Sequence, residues 1–128
     1  MERVAVQSND APDPVGPYSQ AVIAGEMVFL SGQIAIDPST NQMINSSLAD
    51  EARQVFTNID AVLKEAGLTR KNIVRTDISL TDMNDFAELN ELYANWLGTE
   101  GVMPARQTVE VSKLPKDARV EISCIAVK

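Results

Sequence analysis

The chain has 128 residues, 45% hydrophobic and 23% charged, which is room and composition for one ordinary globular domain with a real core. Eighteen acidic against eleven basic side chains give a formal net charge of −7, which disfavours a nucleic-acid or anionic-membrane surface, since phosphates attract clustered Lys and Arg. Histidine is absent, which excludes Ser-His and Cys-His catalysis and His-containing zinc sites, and the lone Cys124 excludes a disulfide within the chain.

The opening "MERVAVQSND" lacks the apolar core of a secretory signal. No run approaches the roughly 20 apolar residues of a membrane span, so a soluble, cytoplasmic protein is expected. Residues 3–6 alternate weakly and predict a short strand. Pro12, Pro14 and Pro17 forbid a helix in the next stretch and predict a shaped, extended loop that carries Tyr18. Residues 20–24 and 27–31 predict two strands joined at Gly25-Glu26, and "DPSTNQ" at 37–42 predicts a turn-rich loop.

The first helix is well marked. Ser47 followed by Asp50 has the spacing of a capping box. Ala52, Val55, Phe56, Ile59, Val62, Leu63 and Ala66 then recur at helical steps, and Gly67 stops the run, with Leu68 placed to pack back on it. Residues 73–80 predict a strand with Val74, Thr76, Ile78 and Leu80 on one face and Arg75, Asp77 and Ser79 on the other. A second helix is expected from near Asp82, with Phe86, Leu89, Tyr93 and Leu97 as its buried stripe and Gly98 as its stop. "PARQTVEV" (104–111) predicts a strand, "SKLPKDA" a turn around Pro115, and "RVEISCIAV" a last strand.

The order β-β-β-α-β-α-β-β, with no repeat and no linker, predicts one α+β domain over residues 1–128: a mixed sheet with two helices on one face. Several strands are apolar on both faces. Val28 and Leu30 oppose Met27 and Phe29, and Ile122 and Cys124 oppose Ile125 and Val127. The second face therefore needs a cover that the chain does not supply, which predicts a homo-oligomer.

Arg106 shares a strand face with Thr108 and Glu110, and its phase places it on a polar face outside the helix-covered core. Two roles fit it: a surface cross-strand ion pair worth under about 1 kcal/mol, or a fork that grips a carboxylate through two parallel hydrogen bonds. Glu121 shares a face with Ser123, Ile125 and Val127, where a carboxylate is costly unless paired. It fits either a structural partner for an arginine or a group that orients and deprotonates water. Tyr18 fits packing or a ligand hydrogen bond. Cys124, among Ile122, Ile125 and Ala126, reads as an inert core thiol. No phosphate loop and no metal-ligand spacing is present.

Taken together, these segments resemble the RidA family, also called YjgF or L-PSP. The matching runs are Gly16-Pro17-Tyr18-Ser19-Gln20-Ala21, Leu30-Ser31-Gly32-Gln33-Ile34 and Asp82-Met83-Asn84-Asp85-Phe86 with Asn90. They continue as Pro104-Ala105-Arg106, Lys113-Leu114-Pro115-Lys116-Asp117 and Val120-Glu121-Ile122. The resemblance implies a chorismate-mutase-like fold, a homotrimer with a ligand cleft at each subunit interface, and no cofactor. It implies hydrolysis of 2-aminoacrylate, 2-iminopropanoate and 2-iminobutanoate to 2-oxo acids and ammonia. It implies that Arg106 and the Thr108 N–H bind the substrate carboxylate, that Glu121 holds the attacking water with Tyr18, and that Ser31, Gly32 and Asn90 line the cleft. The chain departs from the family at Gln107-Thr108, where a small residue and a cysteine are usual. Two other roles attach to such a chain: a trimer that only binds a 2-oxo acid, and an RNA-cleaving translation inhibitor. The acidic composition and missing histidine argue against the latter.

Overall fold

The computed structural model describes residues 1–128. Gly25-Glu26 turns β2 (Ala21–Ala24) into β3 (Met27–Gln33), with Gly25 at φ +62°, a conformation that costs glycine little. β1 (Arg3–Val6) adds antiparallel to β2. With β6 (Ile73–Leu80), β7 (Ala105–Glu110) and β8 (Val120–Val127) they form one six-stranded sheet in the order β1-β2-β3-β8-β6-β7. Only β6 and β7 pair in parallel. Parallel neighbours require a crossover, and helix α2 (Phe86–Leu97) supplies it. The stretch expected as a loop at 37–42 is instead a small hairpin, β4 (Ile36–Asp37) with β5 (Gln42–Met43).

Helix α1 (Leu48–Glu65) begins at Ser47, whose Oγ accepts the Asp50 N–H at 3.1 Å. The capping box is only half formed, because the Asp50 carboxylate accepts from Ser46 Oγ at 2.8 Å rather than reaching back to Ser47. Gly67 at φ +77° ends the helix, and the Leu68 N–H closes on the Leu63 carbonyl at 2.8 Å while Leu68 packs on the core. Asp82 caps a 3-10 turn, Met83–Asp85, and α2 starts only at Phe86. Trp96 joins Leu89 and Tyr93 as the deepest residues of α2, stacked on Phe56 of α1 with ring centroids 4.5 Å apart.

Both helices cover one face of the sheet. Val28, Leu30, Ile78, Leu80, Ile122 and Cys124 point into that layer and are buried. Val74 is a correction to the sequence reading: it is exposed, and Ile73 is buried in its place. The register against β8 slips between Ile73 and Arg75, and this bulge reverses the alternation at the strand's start. The opposite face carries Met27 and Phe29, 40% and 41% exposed, beside Ile125 and Val127. It is apolar and, in one copy, uncovered.

Candidate active site: two half-sites on opposite faces of the sheet

Strand register decides where the candidate residues stand. Arg106, Thr108 and Glu110 pair with Thr76, Ile78 and Leu80, all of which face the helices. Arg106 is therefore on the helix side, which corrects its expected placement on a polar face outside that layer. It stays exposed because β7 is an edge strand and α2 covers only its inner flank. The guanidinium lies 5.1 Å from the Tyr93 ring centre and 5.6 Å from that of Phe86, and its Nη1 donates to Asn90 Oδ1 at 2.8 Å. No carboxylate forms an ion pair with it. The surface-ion-pair role is thus unfilled, and the Nε and Nη2 donors of the fork, which make no hydrogen bond, remain open to an anion.

Thr108 contributes in two ways. The Val111 N–H donates to the Leu80 carbonyl at 2.8 Å, so counting back in steps of two, the N–H groups of 109, 107 and 105 face β6. The Thr108 N–H points out of the open edge, on the Arg106 strand. Its Oγ1 is buried without a partner. Behind them, Tyr93 OH bonds Thr76 Oγ1 at 2.7 Å. Burial raises the Tyr93 pKa, against the Thr76 bond and the nearby Arg106 charge.

Glu121 pairs with Ser79 in β6, on the face away from the helices. It borders an open hollow of about 290 Å³ lined by Val15, Tyr18, Ser31, Gly32, Pro115 and Glu121. A Cβ on Gly32 would come within 2.9 Å of the Glu121 carboxyl carbon, so the missing side chain is what lets the carboxylate lie against β3. No cation pairs with Glu121, so the structural-partner role is also unfilled. Burial raises its pKa above the ordinary glutamate value. Tyr18 is half exposed, and its OH accepts the Val15 N–H at 3.2 Å. Ser31 Oγ donates to the Ser19 carbonyl at 2.6 Å, so this hydroxyl shapes the loop.

Tyr18, Ser31, Gly32 and Glu121 thus gather on one face, and Arg106, Thr108 and Asn90 on the other. Gln20 and Pro115 escaped notice as parts of the first group. Gln20 is buried and is the hub of the proline loop: it accepts the Ser8 N–H at 2.6 Å and donates to the Ser8 and Pro12 carbonyls at 3.1 and 2.9 Å. Its signal was a long amide beside a proline-rich loop, where irregular backbone leaves carbonyls such as those of Ser8 and Pro12 in need of a donor. A hollow of about 370 Å³ lies between the helices, but its Asp60 is already held by Arg70 at 2.9 Å and by Trp96 Nε1 at 3.2 Å. That cluster is a structural seam.

The sequence pattern of the family described as Endoribonuclease L-PSP matches residues 8–128. The chain belongs to the RidA (L-PSP) family. A RutC family protein of Pyrococcus horikoshii is 47% identical over 128 residues, covering 100% of this chain and 99% of the relative. The 2-iminobutanoate/2-iminopropanoate deaminase of mouse is 40% identical over 126 residues, covering 98% and 92%. Among solved structures, the Rid protein YyfA of Yersinia pestis superposes with a TM-score of 0.95 at 42% identity, covering 99% and 100%. TdcF of E. coli, solved with bound serine, superposes with a TM-score of 0.92 at 38% identity, covering 98% of each chain. The two-helix, six-stranded α+β architecture is that of Rid proteins.

Proposed function

We propose that this chain hydrolyses reactive 2-imino acids and their enamine tautomers to 2-oxo acids and ammonia, in clefts between subunits of a homotrimer with the chorismate-mutase-like fold. The observation that carries the reading is the pairing of an unopposed Arg106 fork with an unopposed, half-buried Glu121 on the two faces of one sheet. Two copies placed with the β7 edge of one against the open face of the next would bring both halves to one small molecule. The uncovered apolar face supplies a reason to associate. The mouse relative's name supports the same chemistry for the family.

The substrate carboxylate would sit on the Arg106 fork and the outward Thr108 N–H, with Asn90 holding the guanidinium in place. A protonated imine is already electrophilic at C2. Water adds there while Glu121 takes its proton. Glu121 returns that proton to the carbinolamine nitrogen and then takes the hydroxyl proton as the C2–N bond breaks, so that ammonia leaves and the C2–O bond becomes the carbonyl of the 2-oxo acid. An enamine first accepts a proton at C3 to become the imine. Tyr18, with Ser31 and Gly32 shaping the wall, helps place the water. Orientation is the main contribution, and a general base adds about 10²- to 10⁴-fold. No cofactor takes part in this scheme, and a small 2-imino or 2-oxo acid is the partner, in the cytoplasm. RNA cleavage has less support: the net charge is −7 and the Glu121 hollow is lined by no cation.

Threonine dehydratase generating 2-iminobutanoate, with 2-oxobutanoate followed over time, tests the activity. Acceleration over spontaneous hydrolysis is expected. No acceleration, with ligand-induced stabilisation by 2-oxobutanoate, would leave a binding trimer instead. Sedimentation showing a monomer at micromolar concentration would end the interface-cleft reading.

A further inference from the structure

We propose that Glu51 is a positioning residue: its buried carboxylate clamps the turn that leads into β8 and thereby sets where Glu121 and Pro115 stand in the hollow. The rate consequence rests on the hydrolase reading; the clamp itself does not.

Glu51 lies in the first turn of α1 and is 0% exposed. A carboxylate so deep is costly unless hydrogen-bonded. An acidic residue near a helix N-terminus is favourable, but the neighbouring, exposed Asp50 provides that at the surface, so the dipole alone does not explain full burial. Glu51 Oε2 accepts the Arg119 backbone N–H at 2.7 Å. Its Oε1 has no hydrogen-bond partner, with Arg119 Nε 3.8 Å away. The Arg119 carbonyl accepts the Thr81 N–H at 3.1 Å, and its Nη2 reaches the Asn45 carbonyl at 3.3 Å. One residue therefore ties α1, the end of β6 and the start of β8 together, two positions before Glu121.

The turn before it needs such a tie. Lys116 and Asp117 both adopt left-handed backbone, φ +55° and +54°, with no glycine to relieve it. Successive non-glycine residues of this kind persist only where their surroundings hold them. Leu114 and Ala118 give the apolar anchor, against Ile34 and Ile36. Glu51 gives the polar one. Pro115, which opens the turn, and Glu121, which follows it, line the same hollow.

The test uses Glu51→Gln, Glu51→Asp and Glu51→Ala in the full chain. Glutamine keeps an acceptor for the Arg119 N–H, whereas aspartate withdraws it and alanine removes it. Amide exchange at Arg119 should be slow in the parent and Glu51→Gln and fast in the other two, with Ile122–Ala126 still protected. The Glu121 carboxyl, followed by carbon NMR, should titrate lower in Glu51→Asp and Glu51→Ala than in the parent. With 2-iminobutanoate, kcat should fall about 10- to 100-fold in those two while KM, set on the Arg106 side, moves less than about threefold. Glu51→Gln should restore kcat. Unchanged Arg119 exchange and Glu121 titration in a folded Glu51→Asp would overturn the proposal, as would equal losses in kcat and KM. A parent inactive on imines refutes the hydrolase reading, and exchange and titration still decide the clamp.

Discussion

Arg106→Ala separates binding chemistry from folding more cleanly than any other change in this chain. In the fold, the side chain makes one hydrogen bond, to Asn90, and lies over the Tyr93 and Phe86 rings at 5.1 and 5.6 Å. Cation–π contacts at exposed sites are worth about 0.5–1 kcal/mol, and β7 keeps its ladder to β6 without the side chain. The variant should therefore lose about 1 kcal/mol of stability and melt a few degrees lower. In the proposed cleft the same guanidinium is the only cation assigned to the substrate carboxylate. Removing one partner of a hydrogen-bonded charge pair costs about 2–5 kcal/mol, or roughly 30- to 5,000-fold in kcat/KM. Arg106→Lys keeps the charge but loses the fork, and should recover only a small part of this. The assay is dehydratase-coupled 2-oxobutanoate formation, with thermal melting on the same samples. A folded Arg106→Ala with parental kcat/KM would refute the carboxylate-clamp reasoning.

Gly32→Ala should leave the melting temperature nearly unchanged, because the new methyl meets the flexible end of Glu121 at 2.9 Å, yet lower turnover by displacing that carboxylate. Both follow from melting and steady-state kinetics on one preparation. Glu121→Gln should melt higher than the parent at pH 7 while losing turnover. Burial raises the Glu121 pKa by penalising the charged form, so ionising this group in the fold removes stability as pH rises through the folded-state value. The advantage of Glu121→Gln should vanish in acid, and the parent's activity should fall with acid at a pH higher than that of an unburied glutamate. Cys124, 3% exposed, has its pKa pushed up to about 12 by burial and should resist a thiol reagent at pH 8, where only about 1 in 10⁴ thiols would be ionised. Rapid labelling of the folded protein would contradict that burial.

Local chemistry made much of the fold legible. Ser47, the Val55–Phe56–Ile59–Val62–Leu63 stripe and Gly67 define α1 by themselves, and Gly25-Glu26 defines the first hairpin. What the sequence withheld was non-local. The bulge at Ile73–Arg75 depends on how β6 meets β8, so simple alternation put Val74 on the wrong face. Arg106 was misplaced for a related reason. The face of an edge strand is fixed by its parallel register with β6, which no residue in "PARQTVEV" encodes. Buried polar residues were equally silent: Gln20 and Glu51 serve backbone groups 8 to 68 positions away. For the site, residue types and the family resemblance named the candidates. Only register revealed that they fall into two groups.

That back-to-back arrangement gives the chemistry an unusual owner. Arg106 and Glu121, on opposite faces of one sheet, cannot serve the same small molecule within one copy. Two dead variants should then repair each other. When Arg106→Ala and Glu121→Gln chains are unfolded together and reassembled in equal amounts, about a quarter of the clefts in a closed ring should draw an intact arginine from one chain and an intact glutamate from its neighbour. Catalysis would be a property of the encounter rather than of the polypeptide, and a freshly made chain would be harmless and idle until it found its kin.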